Sequence, residues 1–458
     1  MLSTRKHVAV RETVPSTIPS NAQHKVMKAI VEPIFTRQHA PTGAQNLDIE
    51  RSRVLCKKQV LRPPLKRAGD VSIPCRSRRR RGNYKVVINA KLTNKYKIRG
   101  LLGEGGYGTV VRACKVVRDC EVPESKDVAI KISAVGKGRS NAARKEFRIL
   151  ETIKMNDEKN QKGCIRVQEC FEYRGHICMV MDLLGQSTCE FLEQNNYLPY
   201  PKGHIQSFAR QLFNSVAFLH DLGIVHADIK PENLVLCDHT YCTLPYHRVR
   251  PSSSFVRSQK ARYAAERRVL NNTEVRLIDF GIATFMDEPP SHFDSTAPYC
   301  APEAWIYHKA SFSQDIWSIG CTLVEFFTGD ILFDADDMTE YIAMTEAVTG
   351  LKFEEEISWI TDERFRHILS ALLPNAMQKP RQRVQRMSMK HVHQIIAPGD
   401  DPFLKDFADL LKRIFVLNPD HRITAKQALQ HPCLTEIAQP DDDTLAAEPN
   451  SASNLATP

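Results

Sequence analysis

His226-Ala227-Asp228-Ile229-Lys230-Pro231-Glu232-Asn233 is the stretch from which the rest of this chain can be read. It follows a helical stripe that ends near His220, and it sets a carboxylate, an ammonium group and a carboxamide two and three residues apart. Asp228 can orient a hydroxyl and accept its proton, Lys230 can neutralise a transferring phosphoryl group, and Asn233 can offer an oxygen to a hard cation. Forty-six residues beyond Asn233, Asp279-Phe280-Gly281 follows the apolar run Val275 to Ile278 and supplies a second oxygen ligand. An oxygen-only set of this kind suits Mg²⁺.

Upstream, Gly103-x-Gly105-x-x-Gly108, followed by Val110, is a glycine turn between strands. Glycines lack the Cβ that would keep backbone N–H groups away from phosphate oxygens. A strand, not a helix, comes next, which disfavours a dinucleotide site and fits a phosphate cover. By itself an ordinary glycine hairpin explains it equally well. Val128-Ala129-Ile130-Lys131 then places a lysine on the inner face of a strand, and Glu146 lies on the helix that follows. A cation held near phosphates needs a carboxylate to steady it.

The periodicity around these points predicts an α+β, bilobal architecture. Strands are expected at Tyr84 to Ile88, Tyr96 to Ile98, Thr109 to Val111, Val128 to Ile130, Ile165 to Val167 and Ile177 to Met181. One helix stands among them, Arg144 to Ile153, with Phe147, Leu150 and Ile153 on its apolar side. From Ile205 to His220, Phe208, Leu212, Val216 and Leu219 form a helical stripe, and Ile316 to Phe327 reads as a more fully buried helix. A small antiparallel lobe at about 84–183 therefore precedes a larger, mainly α lobe at about 184–434. Within the second lobe, a basic surface insertion spans about 238–273, with seven Lys/Arg from Arg248 to Arg268 against the single acid Glu266; Tyr263 to Leu270 is compatible with a short helix.

The flanks differ in composition. Residues 1–95 hold 21 Lys/Arg against 5 Asp/Glu, whereas the remainder holds 42 against 48, so the net +10 belongs to the N-terminal segment. Residues 1–81 read as a disordered basic segment that culminates in Arg76-Ser77-Arg78-Arg79-Arg80-Arg81, and 437–458 as a disordered tail. The arginine cluster fits a nuclear-import signal or a patch for nucleic acid, and equally a solvated tail with no partner. Thirteen cysteines without a C-x-x-C read as reduced thiols. No apolar run is long enough to span a bilayer or to act as a secretory signal, so a nuclear or, alternatively, cytoplasmic location is expected.

Ala301-Pro302-Glu303, Asp315-x-Trp317-Ser318-x-Gly320 and His421-Arg422-Ile423-Thr424-Ala425 complete the series. With them, residues 82–436 resemble a eukaryotic protein kinase domain. The resemblance implies a bilobal kinase fold with ATP and Mg²⁺ between the lobes, Asp228 and Lys230 as catalytic residues, and Asn233 and Asp279 as metal ligands. It implies nucleotide contacts from Gly103, Gly105, Gly108, Val110, Ala129, Lys131, Glu146, the gatekeeper Met181 and the hinge residues Asp182 and Leu184. It also implies a structural pair between Glu303 and Arg422, a brace at His226 and a backbone anchor at Asp315.

Leu183-Leu184-Gly185-Gln186-Ser187-Thr188 and Asn195-Asn196-Tyr197-Leu198-Pro199-Tyr200-Pro201 are similar to the cdc2-like (LAMMER) kinases, dual-specificity members of the CMGC group. The name motif EHLAMMER reads Glu340-Tyr341-Ile342-Ala343-Met344-Thr345-Glu346-Ala347 here, with four of eight positions matching. That branch implies transfer to Ser/Thr, with Tyr as a further acceptor, and Arg/Ser-rich splicing factors as partners; its kinetoplastid members imply kinetochore proteins instead. The family's STRHYRAPE reads Ser295-Thr296-Ala297-Pro298-Tyr299-Cys300-Ala301-Pro302-Glu303, with both arginines replaced. Ala227 likewise stands where many kinases carry an arginine, which removes the clamp for a phosphorylated activation loop. Cys189, five residues past Leu184, is a candidate thiol at the mouth of the cleft. The rival readings are a pseudokinase scaffold and a nucleic-acid-associated protein.

Overall fold

In a computed structural model of the chain, the described residues are 66–67 and 82–438, less 107, 118–119, 122–126, 247–265, 289–294, 308, 336, 362, 364–365, 368–369, 371–376 and 387–388. The basic segment of 1–81, apart from a two-residue strand at Lys66–Arg67 beside Phe171 and Glu172, and the tail beyond 438 lie outside them.

Five longer strands carry the seven-stranded sheet of the first lobe, which the two-residue strands Lys66–Arg67 and Cys120–Glu121 complete: β1 (Tyr96–Glu104), β2 (Gly108–Val117), β3 (Val128–Ser133), β4 (Val167–Tyr173) and β5 (His176–Asp182). Their order is β1–β2–β3–β5–β4, antiparallel throughout. Alternation along β2 and β3 sends Val111, Ala113, Val128, Ile130 and Ile132 into one core with Ile98, Phe171 and Val180. The register sets Lys131 opposite Val110 on one side and Met179 on the other, which puts the lysine in the middle of the sheet. Tyr84 to Ile88 is not a strand. It is an extended strap whose Tyr84 ring stands edge-on to Tyr173 and His176, so burial of one aromatic, not sheet pairing, holds it. Just before it, Asn83 Nδ2 reaches Glu104 Oε1 at 2.9 Å on the glycine turn.

Helix α1 (Lys137–Asn156) begins about two turns earlier than the apolar period suggested. It buries Ala143, Glu146, Ile149, Leu150 and Ile153, leaving Phe147 half-buried. The inward stripe is rotated toward the cleft because the face must carry a carboxylate as well as hydrocarbon.

The second lobe opens with α2 (Thr188–Gln194), started by a capping box in which Ser187 and Glu190 satisfy each other's backbone N–H groups. Helix α3 (Lys202–Asp221) buries Phe208, Leu212, Val216 and Leu219. Strand β6 (Ile224–Val225) then leads into the decisive loop, and β7 (Leu234–Leu236) leads out of it. The basic insertion is bounded by a hairpin of β8 (Tyr241–Pro245) and β9 (Glu266–Leu270). Residues 266–270 are therefore strand and not helix. The Asn195 side chain explains why: it donates to Arg268 O (3.0 Å) and accepts from Arg268 N (2.8 Å), acting as one more pairing residue at the hairpin's inner edge.

Beyond it come β10 (Val275–Leu277), β11 (Thr284–Phe285), α4 (Pro302–Tyr307), α5 (Phe312–Thr328) and α6 (Met338–Thr349). Helix α5 is buried along nearly its whole length and ends at Gly329, whose φ of 79° a residue with a Cβ adopts only at a cost. The Glu340 to Ala347 stretch lies in α6. There Glu346 takes a two-pronged pair from Arg381 at 2.7 Å for each prong, and Glu340 lies 3.1 Å from Arg383 Nε; both arginines lie on α7 (Gln378–Arg386). The motif's acids thus tie one helix to another.

Candidate active site

At the sheet end of the cleft, Lys131 Nζ donates to Glu146 Oε1 at 2.6 Å and to Asp279 Oδ1 at 2.7 Å. Burial opposes the ammonium charge, yet the two carboxylates outweigh it and hold the Lys131 proton more firmly than usual. Burial pushes the Glu146 carboxyl up against the pull of Lys131. Asp279 is the opposite case: the Lys131 charge brings it down to about 2, so it is a carboxylate at any ordinary pH. Its backbone sits at φ 59°, and its Oδ1 also accepts from Gly281 N at 3.3 Å.

The glycine turn frames this group from above. A Cβ on Gly108, at φ 154°, would lie 2.2 Å from Ile132 O, so the position admits only glycine. Gly103 and Gly105 have nothing within 4 Å of the equivalent point, and Gly105 N closes the turn by donating to Gly108 O at 2.9 Å. Val110, half-buried, and Ala129, buried, lie on β2 and β3. Ala129 pairs with Met181 across β3 and β5, and Val128 with Asp182. The Asp182 carboxylate accepts from Gln168 Nε2 at 2.6 Å, so its side chain is occupied on the sheet. Leu184 is half-buried. Directly after it, Gly185 N donates to Leu236 O (2.9 Å) and Leu236 N to Gln186 O (3.0 Å), stitching the hinge to β7.

Below, Asp228 collects the polar groups of the loop from His226 to Asn233. Lys230 Nζ donates to Asp228 Oδ2 at 2.8 Å, and Asn233 Nδ2 donates to Asp228 O at 2.8 Å and to Asp228 Oδ2 at 3.0 Å. The Thr296 hydroxyl donates to Asp228 Oδ1 at 2.6 Å and accepts from Lys230 Nζ at 2.6 Å. Thr296, read in the sequence only as part of the Ser295 to Glu303 stretch, meets Asp228 through the tertiary fold, across 68 residues. The loop's shape comes from beneath. The Asp315 carboxylate, 0 % exposed, accepts from His226 N (3.0 Å), Ala227 N (2.9 Å) and His220 Nε2 (3.0 Å). Those bonds hold Ala227 at φ 68°, a conformation that costs a non-glycine residue about 1–2 kcal/mol. His226 in turn bridges the loop to the Asp279 strand through Ile278 O at 3.0 Å and stacks edge-on to Phe280.

Asn233 and Asp279 are brought to one end of the β7–β10 pair, where Leu234 faces Leu277 and Ile278 N donates to Asn233 O at 2.9 Å. An ionised carboxylate, nearly half exposed, beside a carboxamide whose nitrogen is committed to Asp228 is an all-oxygen donor set that fits a hard divalent cation. Farther down, Arg422 and Glu303 form a fully buried pair, with Nη1–Oε1 at 2.5 Å and Nη2–Oε2 at 3.0 Å. Cys189 is half-buried in the first turn of α2, close enough to raise the Tyr200 and Tyr299 phenols, although burial is the larger cause for both. Cys300 is buried, and its carbonyl accepts from Tyr341 OH at 2.6 Å.

A bilobal fold with a nucleotide-type cleft between a glycine-covered sheet and this loop is that of a phosphotransferase. Residues 96–434 match the protein kinase domain model. The chain is 40% identical over 361 residues to the dual specificity protein kinase lkh1 of Schizosaccharomyces pombe, covering 78% of this chain and 49% of that protein. It is 31% identical over 400 residues to the serine/threonine-protein kinase AFC2 of Arabidopsis thaliana, covering 86% and 87%, and 33% identical to the human dual specificity protein kinase CLK4, covering 74% and 66%. The crystal structure of the PF14_0431 kinase domain superposes with a TM-score of 0.62 at 23% identity, over 77% of this chain and 98% of that one. The chain belongs to the protein kinase family, with its relatives in the cdc2-like (LAMMER) branch. It spans about half the length of the fission-yeast relative. Among the described residues, no helix is long and apolar enough to cross a membrane.

Proposed function

We propose that the chain is a protein kinase that passes the γ-phosphoryl group of ATP to Ser/Thr hydroxyls of protein substrates, with Tyr as a further acceptor. The observation that carries this reading is the pairing of two complete clusters across one cleft: Lys131 with Glu146 and Asp279, and Asp228 with Lys230, Asn233 and Thr296. Asp228 orients the attacking hydroxyl and takes its proton. Lys230, already 2.8 Å from Asp228, neutralises charge on the phosphoryl group as it moves. Lys131 holds the nucleotide's phosphates, steadied by Glu146, while the glycine turn covers them. Asn233 and Asp279 would hold Mg²⁺, which when bound neutralises charge on the phosphates. The two clusters also make a scaffold without catalysis the weaker reading, since none of its acid, base or cation positions is vacated.

Two positions in the activation segment weigh against the Arg/Ser-rich substrates that the resemblance implies, and they do not bear on kinetochore proteins. Ala297 carries no charge, and Cys300 is 1% exposed, so neither position supplies the polar group that the family pattern places beside the acceptor. The nuclear location rests on Arg76 to Arg81, outside the described residues. Asp228→Asn tests the central reading: turnover is expected to fall about 10³-fold or more with nucleotide binding retained, and near-normal turnover overturns it.

A further inference from the structure

Helix α1 delivers Glu146 to Lys131, so whatever holds α1 in place sets the geometry of the nucleotide site. One grip lies outside the cleft. Lys145 and Arg148, three residues apart and therefore on one helical face, both turn toward the segment after Asp279-Phe280-Gly281. The Arg148 guanidinium pairs with the Glu288 carboxylate and lies 4.9 Å from the centre of the Phe285 ring. Lys145 Nζ donates to Thr284 Oγ1 at 2.9 Å and is 3.7 Å from Glu288 Oε2. The receiving segment is itself fixed: Thr284 and Phe285 pair with Val225 and Ile224 on the strand that enters the catalytic loop, and Met286 N donates to Gly223 O at 2.9 Å. Glu288 closes the run, its N–H bonded to Phe285 O at 3.1 Å.

From the same direction the loop offers no arginine before Asp228, where Ala227 stands, and its Lys230 is already held by Asp228 and Thr296. A phosphate added to the activation segment would find no guanidinium there, whereas a carboxylate already meets two cations on α1. We infer that Glu288 is a positioning residue. It supplies permanently the negative charge that a phosphate would otherwise bring, and so keeps α1 where Glu146 meets Lys131 without any covalent modification. The inference rests on reading the site as phosphoryl-transferring, but its structural half can be tested separately.

The experiment uses the full chain after phosphatase treatment, comparing wild type, Glu288→Gln, Glu288→Arg and the exchanged pair Arg148→Glu/Glu288→Arg. Expected are full activity in dephosphorylated wild type, a smaller loss in Glu288→Gln, and a roughly 5- to 150-fold loss of kcat/KM for ATP in Glu288→Arg. Amide exchange across 137–156 should quicken in both single variants, and the exchanged pair should recover most of the activity and of the protection. The charge-restored pair separates positioning from mere packing, which exchange of the two side chains would not mend. An exchanged pair no better than Glu288→Arg, unchanged exchange in that single variant, or wild type that loses activity on dephosphorylation each overturns the latch. A wild type that transfers no phosphate under any treatment, with exchange responding as described, overturns the kinase reading and leaves the latch standing.

Discussion

Asp315→Asn is the perturbation that best separates the loop's shape from its chemistry. The carboxylate sits at 0 % exposure and accepts three hydrogen bonds, Oδ1 from Ala227 N and Oδ2 from His226 N and His220 Nε2. A carboxamide has one oxygen, so its better orientation keeps the Oδ2 pair and turns an NH₂ group toward the Ala227 N–H. One charge-assisted bond is lost and one buried donor is stranded, a gross cost of about 3–5 kcal/mol. Ala227 can answer by leaving φ 68°, which returns about 1 kcal/mol. The net loss is then about 2–4 kcal/mol, short of what unfolds a typical domain. Urea denaturation followed through Trp305, Trp317 and Trp359, all in the second lobe, reads it directly. Relaxation of Ala227 also displaces the adjoining Asp228, and a shift on the order of 1 Å costs about 100-fold in kcat. Adding Ala227→Gly should restore part of both, since glycine holds positive φ without strain. A stability loss below about 0.5 kcal/mol, or a full loss with kcat unchanged, would refute the claim that Asp315 shapes this loop.

Removing Arg422 as Arg422→Ala leaves Glu303 buried without its cation, and a loss of about 3–5 kcal/mol is expected in the same urea assay; a change under 1 kcal/mol contradicts the structural role. The Lys131 charge depresses Asp279 to about 2, so its contribution to stability is complete above the unfolded carboxyl value near 4 and disappears as pH falls through about 2. Because that side chain is 45% exposed, the contribution is on the order of 1 kcal/mol after screening. Asp279→Asn should therefore flatten the stability slope between about pH 4 and pH 2, and an unaltered slope counts against the assignment. At Cys189, an adenine mimetic bearing an acrylamide is expected to add once and slowly, the thiol being half-buried; intact-mass labelling that persists in Cys189→Ala disposes of the idea.

The catalytic loop, the glycine turn and Asp279-Phe280-Gly281 were legible because each packs its chemistry into a few consecutive residues. Glu146 was legible through its partner Lys131. What escaped reading depends on residues far apart in sequence. The stripe of α1 was placed on Phe147 because hydrophobic period alone cannot anticipate a buried carboxylate at Glu146. The β9 strand at Glu266–Leu270 is set by its pairing with Tyr241–Pro245 and by Asn195, 73 residues from Arg268. Thr296 meets Asp228 only once the activation segment has folded back. Arg381 and Arg383 reveal their purpose only against Glu346 and Glu340, so a half-matched motif was recognised without its physical reason.

The β8–β9 hairpin has a practical consequence. Its register fixes Pro245 opposite Glu266, and Asn195 holds the inner edge, so both ends of the intervening stretch are anchored by the hairpin, with Tyr246 buried against Leu198 and Arg267. Doubling the length of such a connection adds only about 0.6 kcal/mol of closure entropy. The position is thus a natural port for splicing a fluorescent or affinity cassette into the chain, at a place where foreign sequence is carried by the hairpin and not by the catalytic machinery.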